Sequence, residues 1–394
     1  MRERKARGVN LNFNFKLFFE QVRQTFSRSR GNKTRLTLRR VGILLLLFPI
    51  FIVFKALQVV GFWFDDLFYG DYQEQELSQP VFIIGNPRSG TTFLHRLLAR
   101  DEHNFSTIRT WEIFFAPSIF QRKLIWAIQA IDQKLGGAVQ RWLVRQEQKT
   151  WFNNQIHRVS LWEAEEDESL LLTIWESIFT SVFFPHPDLV KKYAMFDKGV
   201  PRRERRRIMR FYRLCLRKHL YAHNTKKKFL SKNPAFSAKV ASLYEFFPNA
   251  KIIYLVRNPI DTVPSLISWM TYQWSQFSDP ADEYLYRDYL VQLAKEWYEY
   301  PLEQLDKAAP ESYEIIVYDE LASDPKGVIS RMYAKFGFEV SPQFEAALEQ
   351  ANEAARDYKS KHRYSLDKIG LTRKQLVKTF RLVIDRFGFD TTKV

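Results

Sequence analysis

The stretch from Val81 to Thr92, VFIIGNPRSGTT, constrains this chain more than any other part of it. Four apolar residues closed by a glycine read as a fully buried strand. From Thr92 onward the pattern FLHRLLARD places Phe93, Leu94, Leu97 and Leu98 on one helical face. The eight residues Gly85 to Thr92 therefore form a tight loop between a buried strand and a helix N-terminus, with the spacing G-x-x-x-x-G. Backbone N–H groups and the helix dipole both present positive potential there, so the loop is built to hold an anion such as a phosphate. Thr91 and Thr92 stand where a nucleotide triphosphatase carries Lys and then Ser or Thr. Arg88 instead supplies a planar guanidinium, and Ser89, Thr91 and Thr92 add hydroxyl donors, a set better matched to a phosphosulfate than to a triphosphate.

Two further runs, KIIYLVRNP from Lys251 and YEIIVYDE from Tyr313, read as strands, with helical patterns between and after them. Strands alternating with helices predict an α/β fold with a central parallel sheet flanked by helices on both faces. Three helical stretches, Arg122 to Gln148, Ala164 to Phe183 and Arg202 to His223, fall between the first and second of these strands and predict a helical cap over the site, an insertion at about 112–225. Arg257 at a strand's carboxyl end and Ser265 on the next helix can converge on one anion at the sheet crevice.

These segments resemble the sulfotransferases that use 3'-phosphoadenosine-5'-phosphosulfate. PRSGTT is similar to their 5'-phosphosulfate loop, and YLVRNPIDTVPS to their 3'-phosphate motif, a strand ending in Arg with a Ser on the following helix. LSKNPAF around Lys232, HRVSLWEAEEDE from His157 and HRYSLDKIGLT from His362 are similar to stretches of bacterial and tyrosylprotein-type members. The likeness covers nearly everything from Pro80 to Phe389. It implies the P-loop-NTPase-like sulfotransferase fold, with Arg88, Ser89, Gly90, Thr91, Thr92, Arg257 and Ser265 binding the donor, and Arg363 with Tyr364 on a tail closing over its 3'-phosphoadenosine end. Asn86 stands where close relatives often carry His, and Asn258 where many carry Asp.

Transfer of a sulfuryl group needs a base for the acceptor oxygen and stabilisation of charge on the leaving phosphate. Arg88, the loop amides and Lys232 are expected at that charge; a surface lysine in an SKNP turn is the competing reading. Glu112 in TWEIFF follows the loop helix at a spacing similar to the catalytic glutamate of tyrosylprotein-type enzymes. Its aromatic neighbours predict a raised pKa suited to a base, against an ordinary carboxylate at a helix N-terminus. His95 is the second choice. The acidic run Glu163 to Glu168 reads as a solvated helix face.

The rest of the sequence bounds partners and location. The 394 residues carry a formal net charge of +16, and much of the excess sits in residues 1–40. An apolar run from Val41, resuming after Lys55 and Gln58 to reach Phe64, follows this basic segment, with a polar linker over 65–79 before a catalytic domain at 80–394. Basic residues beside an apolar run favour a membrane surface over nucleic acid. Residues 41–64 are expected to be membrane-associated, with the catalytic domain cytoplasmic. A single-pass arrangement with the domain on the far side stays open. One cysteine, Cys215, permits no intramolecular disulfide. Histidine spacing gives no metal site. The partners expected are the nucleotide co-substrate and an acceptor of unread identity, a lipid or glycolipid being one candidate. A P-loop kinase or triphosphatase using Asp319 for Mg²⁺, or a non-enzymatic membrane adaptor, are the alternatives.

Overall fold

The computed structural model describes residues 13–27, 34–149, 160–280, 282–356 and 366–392. Its centre is a five-stranded parallel sheet: β1 (Val81–Gly85), β2 (Phe105–Ser106), β3 (Lys228–Lys232), β4 (Lys251–Val256) and β5 (Tyr313–Val317), in the spatial order β2-β3-β1-β4-β5. Alternate residues of the central strands point to opposite faces, as a pleated strand requires. Phe82, Ile84, Ile252 and Tyr254 enter one hydrophobic core, while Val81, Ile83, Ile253 and Leu255 enter a second, on the other side of the sheet. Both faces are covered, which is why β1 and β4 read as unbroken apolar runs.

The register fixes what stands at the sheet's carboxyl edge. Gly85 pairs with Leu255, Ile83 with Lys232 and Val256 with Val317. Hence the loop after β1, Lys232 at the end of β3 and Arg257 just past β4 emerge side by side, in the crevice where α/β sheets bind ligands.

β3 was not visible as a strand in the sequence: SKNP reads as a turn, yet Lys232 is the last strand residue and is 1% exposed. The expected helix from Arg122 to Gln148 is a hairpin of two, Ile119–Lys134 and Ala138–Lys149, broken at Gly136 and Gly137. The stretch expected as one helix from Ala164 to Phe183 holds two short helices, Glu168–Leu172 and Thr180–Phe183, with Trp175 in a left-handed conformation between them. Arg202–Ala222 is one long helix, as its pattern predicts.

Ahead of the sheet lie α1 (Phe15–Phe26) and α2 (Leu38–Phe68). Thr37 caps α2 by accepting from the Arg40 amide at 3.2 Å. The helix is 31 residues long and extends past the apolar run at both ends. One stripe of it, including Leu44, Gly61, Phe62 and Asp65, is buried against the rest of the protein. At Gly61 the approach is too close for a side chain, since a Cβ would lie 2.5 Å from Ser118 Oγ.

Candidate active site

The loop after β1 turns through a hydrogen bond from the Ser89 amide to the Asn86 carbonyl at 3.2 Å. Gly90 then takes φ 91° and caps the next helix, α3 (Thr91–Leu98). The Tyr318 ring lies 2.5 Å from where a Gly90 Cβ would be, so conformation and space both demand glycine. Arg88 has φ 71°, a left-handed conformation that costs a non-glycine residue on the order of 1–3 kcal/mol. What holds it is Ser265 on α4 (Pro259–Phe277), whose Oγ accepts from Arg88 Nε at 3.0 Å.

Arg257 closes the other side. Its Nη1 donates to the Arg88 carbonyl at 3.4 Å, and its guanidinium sits 4.3 Å from the Tyr318 ring centre. The Tyr298 hydroxyl donates to the Arg257 carbonyl at 2.7 Å and meets Thr262 Oγ1 at 2.8 Å, which fixes the end of β4. Arg88, Ser89, Gly90, Thr91, Thr92, Arg257 and Ser265, read from two distant segments of sequence, are thus one constellation. Arg363 and Tyr364 lie outside the described residues. Asn86, the departure noted above, donates its amide to the Ala294 carbonyl at 3.2 Å and so has a scaffold partner.

Lys232 is buried, and its Nζ donates to Glu166 Oε1 at 2.7 Å with Glu165 at 4.0 Å. This corrects the reading of Glu163 to Glu168 as a solvated face. Glu166 is half-buried against Lys232, Asp167 is fully buried beneath the Tyr212 hydroxyl, and Glu168 is buried with Lys239 at 2.7 Å. Burial pushes the Asp167 carboxyl up to about 7. Of this run, Glu166 lines the cleft beside the loop.

Glu112 is buried, as its aromatic neighbours predict, but the raised pKa expected of it is overturned. Burial alone would raise the carboxyl; Arg122 at 3.7 Å, His219 at 3.7 Å and a 2.6 Å hydrogen bond with His223 outweigh it and hold the group well below the usual carboxylate range. Its other oxygen accepts from the Arg109 amide at 2.8 Å, satisfying a donor at the helix N-terminus. The ligand-type atoms of Glu112, His219 and His223 lie within 4.8 Å of one another, and the Arg122 guanidinium already supplies the cluster's positive charge. His95 is fully buried with Nε2 on Thr107 Oγ1 at 2.9 Å; burial, then the Lys232 charge, push it well below the ordinary histidine value.

The cleft over the loop is lined on its polar side by Arg88, Thr91, Thr92 and Glu166, and elsewhere chiefly by apolar side chains such as Phe179, Val182, Leu266, Trp269 and Met270. Its empty space, open mouth included, is about 830 Å³. An anion cradle and an apolar trough thus share one cleft.

Known proteins resemble this chain. The Sulfotransferase family matches residues 80–342. The chain is 26% identical over 359 residues to omega-hydroxy-beta-dihydromenaquinone-9 sulfotransferase Stf3 of Mycobacterium bovis and of Mycobacterium tuberculosis, covering 84% of this chain and 81% of each relative. Among solved structures, sulfotransferase STF9 from Mycobacterium avium superposes with a TM-score of 0.70 at 16% identity, covering 97% of this chain and 98% of that one. Sulfotransferase STF1 from Mycobacterium tuberculosis gives 0.68 at 17%, covering 94% and 93%. The last two likenesses concern the fold. The family match takes in β1 and its loop, Lys232, Arg257 and Ser265, and by it the chain belongs to the sulfotransferase family and is a sulfotransferase.

Proposed function

We propose that this enzyme moves a sulfuryl group from 3'-phosphoadenosine-5'-phosphosulfate to a hydroxyl on a long apolar acceptor of the hydroxylated prenyl-quinone kind. The observation that carries the donor is the joining of Arg88, Arg257 and Ser265 around a phosphate-type loop that lacks the triphosphate-binding lysine. The acceptor class is supported by the apolar trough beyond that loop and by the name of the Stf3 relatives, which act on a hydroxylated dihydromenaquinone.

In the step, the acceptor oxygen forms a bond to sulfur as the bond from sulfur to the bridging phosphate oxygen breaks. The products are a sulfate ester and 3'-phosphoadenosine 5'-phosphate. Glu166, on the cleft wall, takes the proton from the acceptor hydroxyl in place of Glu112, whose carboxylate is closed off by Arg122 and two histidines. Lys232, bonded to Glu166 at 2.7 Å, holds that carboxylate in place. Arg88 and the loop amides meet the charge that grows on the leaving phosphate. Thr91 and Thr92 at the cleft wall orient the donor's sulfate end.

Titration calorimetry with 3'-phosphoadenosine 5'-phosphate, paired with transfer of ³⁵S from labelled donor into hydroxylated menaquinones, tests both halves. Binding and labelling are expected, with both lost in Arg88→Ala. ATP hydrolysis with Mg²⁺ and no binding of the adenosine bisphosphate would overturn the donor. Labelling of water-soluble alcohols alone would overturn the acceptor.

A further inference from the structure

α2 is long and apolar enough to cross a membrane: its most apolar 18-residue window has a mean hydropathy of 2.6 and is 11% buried within the protein. Its polar contacts argue against crossing. At its start the Arg39 guanidinium meets Asp279 at 2.6 Å, in its middle Lys55 Nζ donates to the Thr173 carbonyl at 2.6 Å, and near its end Asp65 meets Lys218 at 2.6 Å, both fully buried. Asp65 also accepts from the Ile119 and Phe120 amides at 3.1 and 2.8 Å. Arg39 to Asp65 spans roughly 39 Å of helix, more than the hydrocarbon core of a bilayer at about 30 Å. Both ends and the middle are thus bonded to one globular body, whereas a crossing helix has its ends on opposite sides of the membrane.

The outward face of α2 is nevertheless apolar, with Leu46, Ile52, Val53 and Trp63 exposed. Beside it runs the helical hairpin of residues 119–149, joined to α2 through Phe64 and Phe120, whose ring centres are 4.6 Å apart, while Phe115, just ahead of the hairpin, lies 5.3 Å from Phe54. The hairpin exposes Ile131, Leu135, Val139 and Trp142 around its tip, Leu135 at 79%. A hairpin tip of that composition is poorly suited to water. Exposed cations accompany the apolar groups: Lys16 and Arg23 on α1, Lys134 and Arg141 at the tip. The residues ahead of α1 add Arg2, Arg4, Lys5 and Arg7 against Glu3.

We infer that α1, α2 and the 119–149 hairpin form one docking surface for a membrane leaflet with anionic headgroups, α2 lying in the plane of the leaflet. Apolar side chains enter the acyl boundary and the cations meet the headgroups, the pattern of an interfacial helix. The surface also adjoins the cleft. Trp175 packs on Phe18 and Phe51 of α1 and α2 at 5.3 and 5.0 Å, and Phe184 lies 6.1 Å from Phe48, while Phe179 and Val182 of the same segment line the cleft. One layer of chain separates the membrane helices from the trough. A lipid acceptor thus reaches the trough from the leaflet without crossing water; this last step rests on the acceptor reading above, the docking itself does not.

The test uses the full chain with vesicles of phosphatidylglycerol and phosphatidylcholine, and of phosphatidylcholine alone. Nitroxide labels are placed at Leu46→Cys, Trp63→Cys and Leu135→Cys; the native Cys215 is buried. Expected are stronger flotation with the anionic vesicles and a common shallow depth for all three labels, about 5–10 Å below the headgroups. The triple variant Leu46→Ser, Val53→Ser, Trp63→Ser should bind vesicles about a hundredfold more weakly. It should bind 3'-phosphoadenosine 5'-phosphate as wild type does, which separates failure of docking from failure of the enzyme reading and confirms folding. Labels at residues 46 and 63 reached from opposite sides of the bilayer would overturn the in-plane arrangement. Self-association that protects the labels, with no vesicle binding, would overturn the surface.

Discussion

Two carboxylates in this protein, Glu112 and Glu166, each bond a basic side chain, and they behave as opposites. Glu112 is enclosed: Arg122, His219, His223 and the Arg109 amide surround its two oxygens, and with both Glu112 and Arg122 buried the ion pair is part of the scaffold. Glu166 is held by Lys232 on one side and borders the cleft on the other. A base needs a face left open to the proton it takes, and of the pair Glu166 has that face. The difference teaches that burial among aromatics does not raise a carboxyl's pKa when a guanidinium is buried with it.

The sharpest way to break the comparison is Glu166→Gln. If Glu166 takes the acceptor proton, turnover falls by about 10²–10⁴. The change is nearly isosteric, but it leaves the buried Lys232 with the more distant Glu165 carboxylate at 4.0 Å, so the melting temperature should fall as well, while turnover per folded molecule carries the larger loss. Steady-state labelling from ³⁵S donor and a thermal melt on the same preparation read both. Full activity in this variant removes Glu166 as the base.

Glu112→Gln should do the reverse. It leaves Arg122 and His219 buried without their carboxylate, a loss of about 3–5 kcal/mol in stability, while turnover per folded molecule stays close to wild type. Urea unfolding with active-site titration of the folded fraction measures both. A large loss of turnover with an unchanged unfolding midpoint would restore Glu112 as the base and collapse the distinction.

The two regions also differ in how far they could be read from sequence. The donor cradle was legible because its chemistry belongs to the main chain and to short local patterns: an apolar strand, a tight loop, an arginine at the next strand's end. Arg88 and Ser265 meet because parallel strands β1 and β4 are neighbours in the sheet, a matter of strand order that the local patterns do not give. Glu166 was not legible, since a run of acidic residues looks solvated until its partners are known. Lys232 and Lys239 lie more than 60 positions away in sequence, on and just after β3, a strand with only Phe229 and Leu230 to announce it. The apolar run of α2 was visible at once. That its polar residues Lys55 and Asp65 tie it to the domain is a matter of tertiary contact, on which hydropathy is silent.

The smallest effect separates the acidic run from the Glu112 cluster by pH. Asp167, next to Glu166 in sequence, is buried beneath the Tyr212 hydroxyl with its carboxyl pushed up to about 7 from an ordinary 3.8. Between those values the folded protein holds a proton that the unfolded chain has released, so folding stability falls as pH rises and the loss is complete above about 7. Glu112, held low, has the opposite sign: its contribution is present above the ordinary carboxylate pKa and is lost on acidification. From about pH 6 to about pH 8 the wild type should therefore lose on the order of 1 kcal/mol through Asp167. Asp167→Asn keeps an acceptor for Tyr212 but carries no charge, and it should flatten that slope while leaving the acid limb, set in part by Glu112, in place. An unchanged alkaline slope in Asp167→Asn, followed by thermal melts across the series, would mean that the acidic run is not protonated where it is buried.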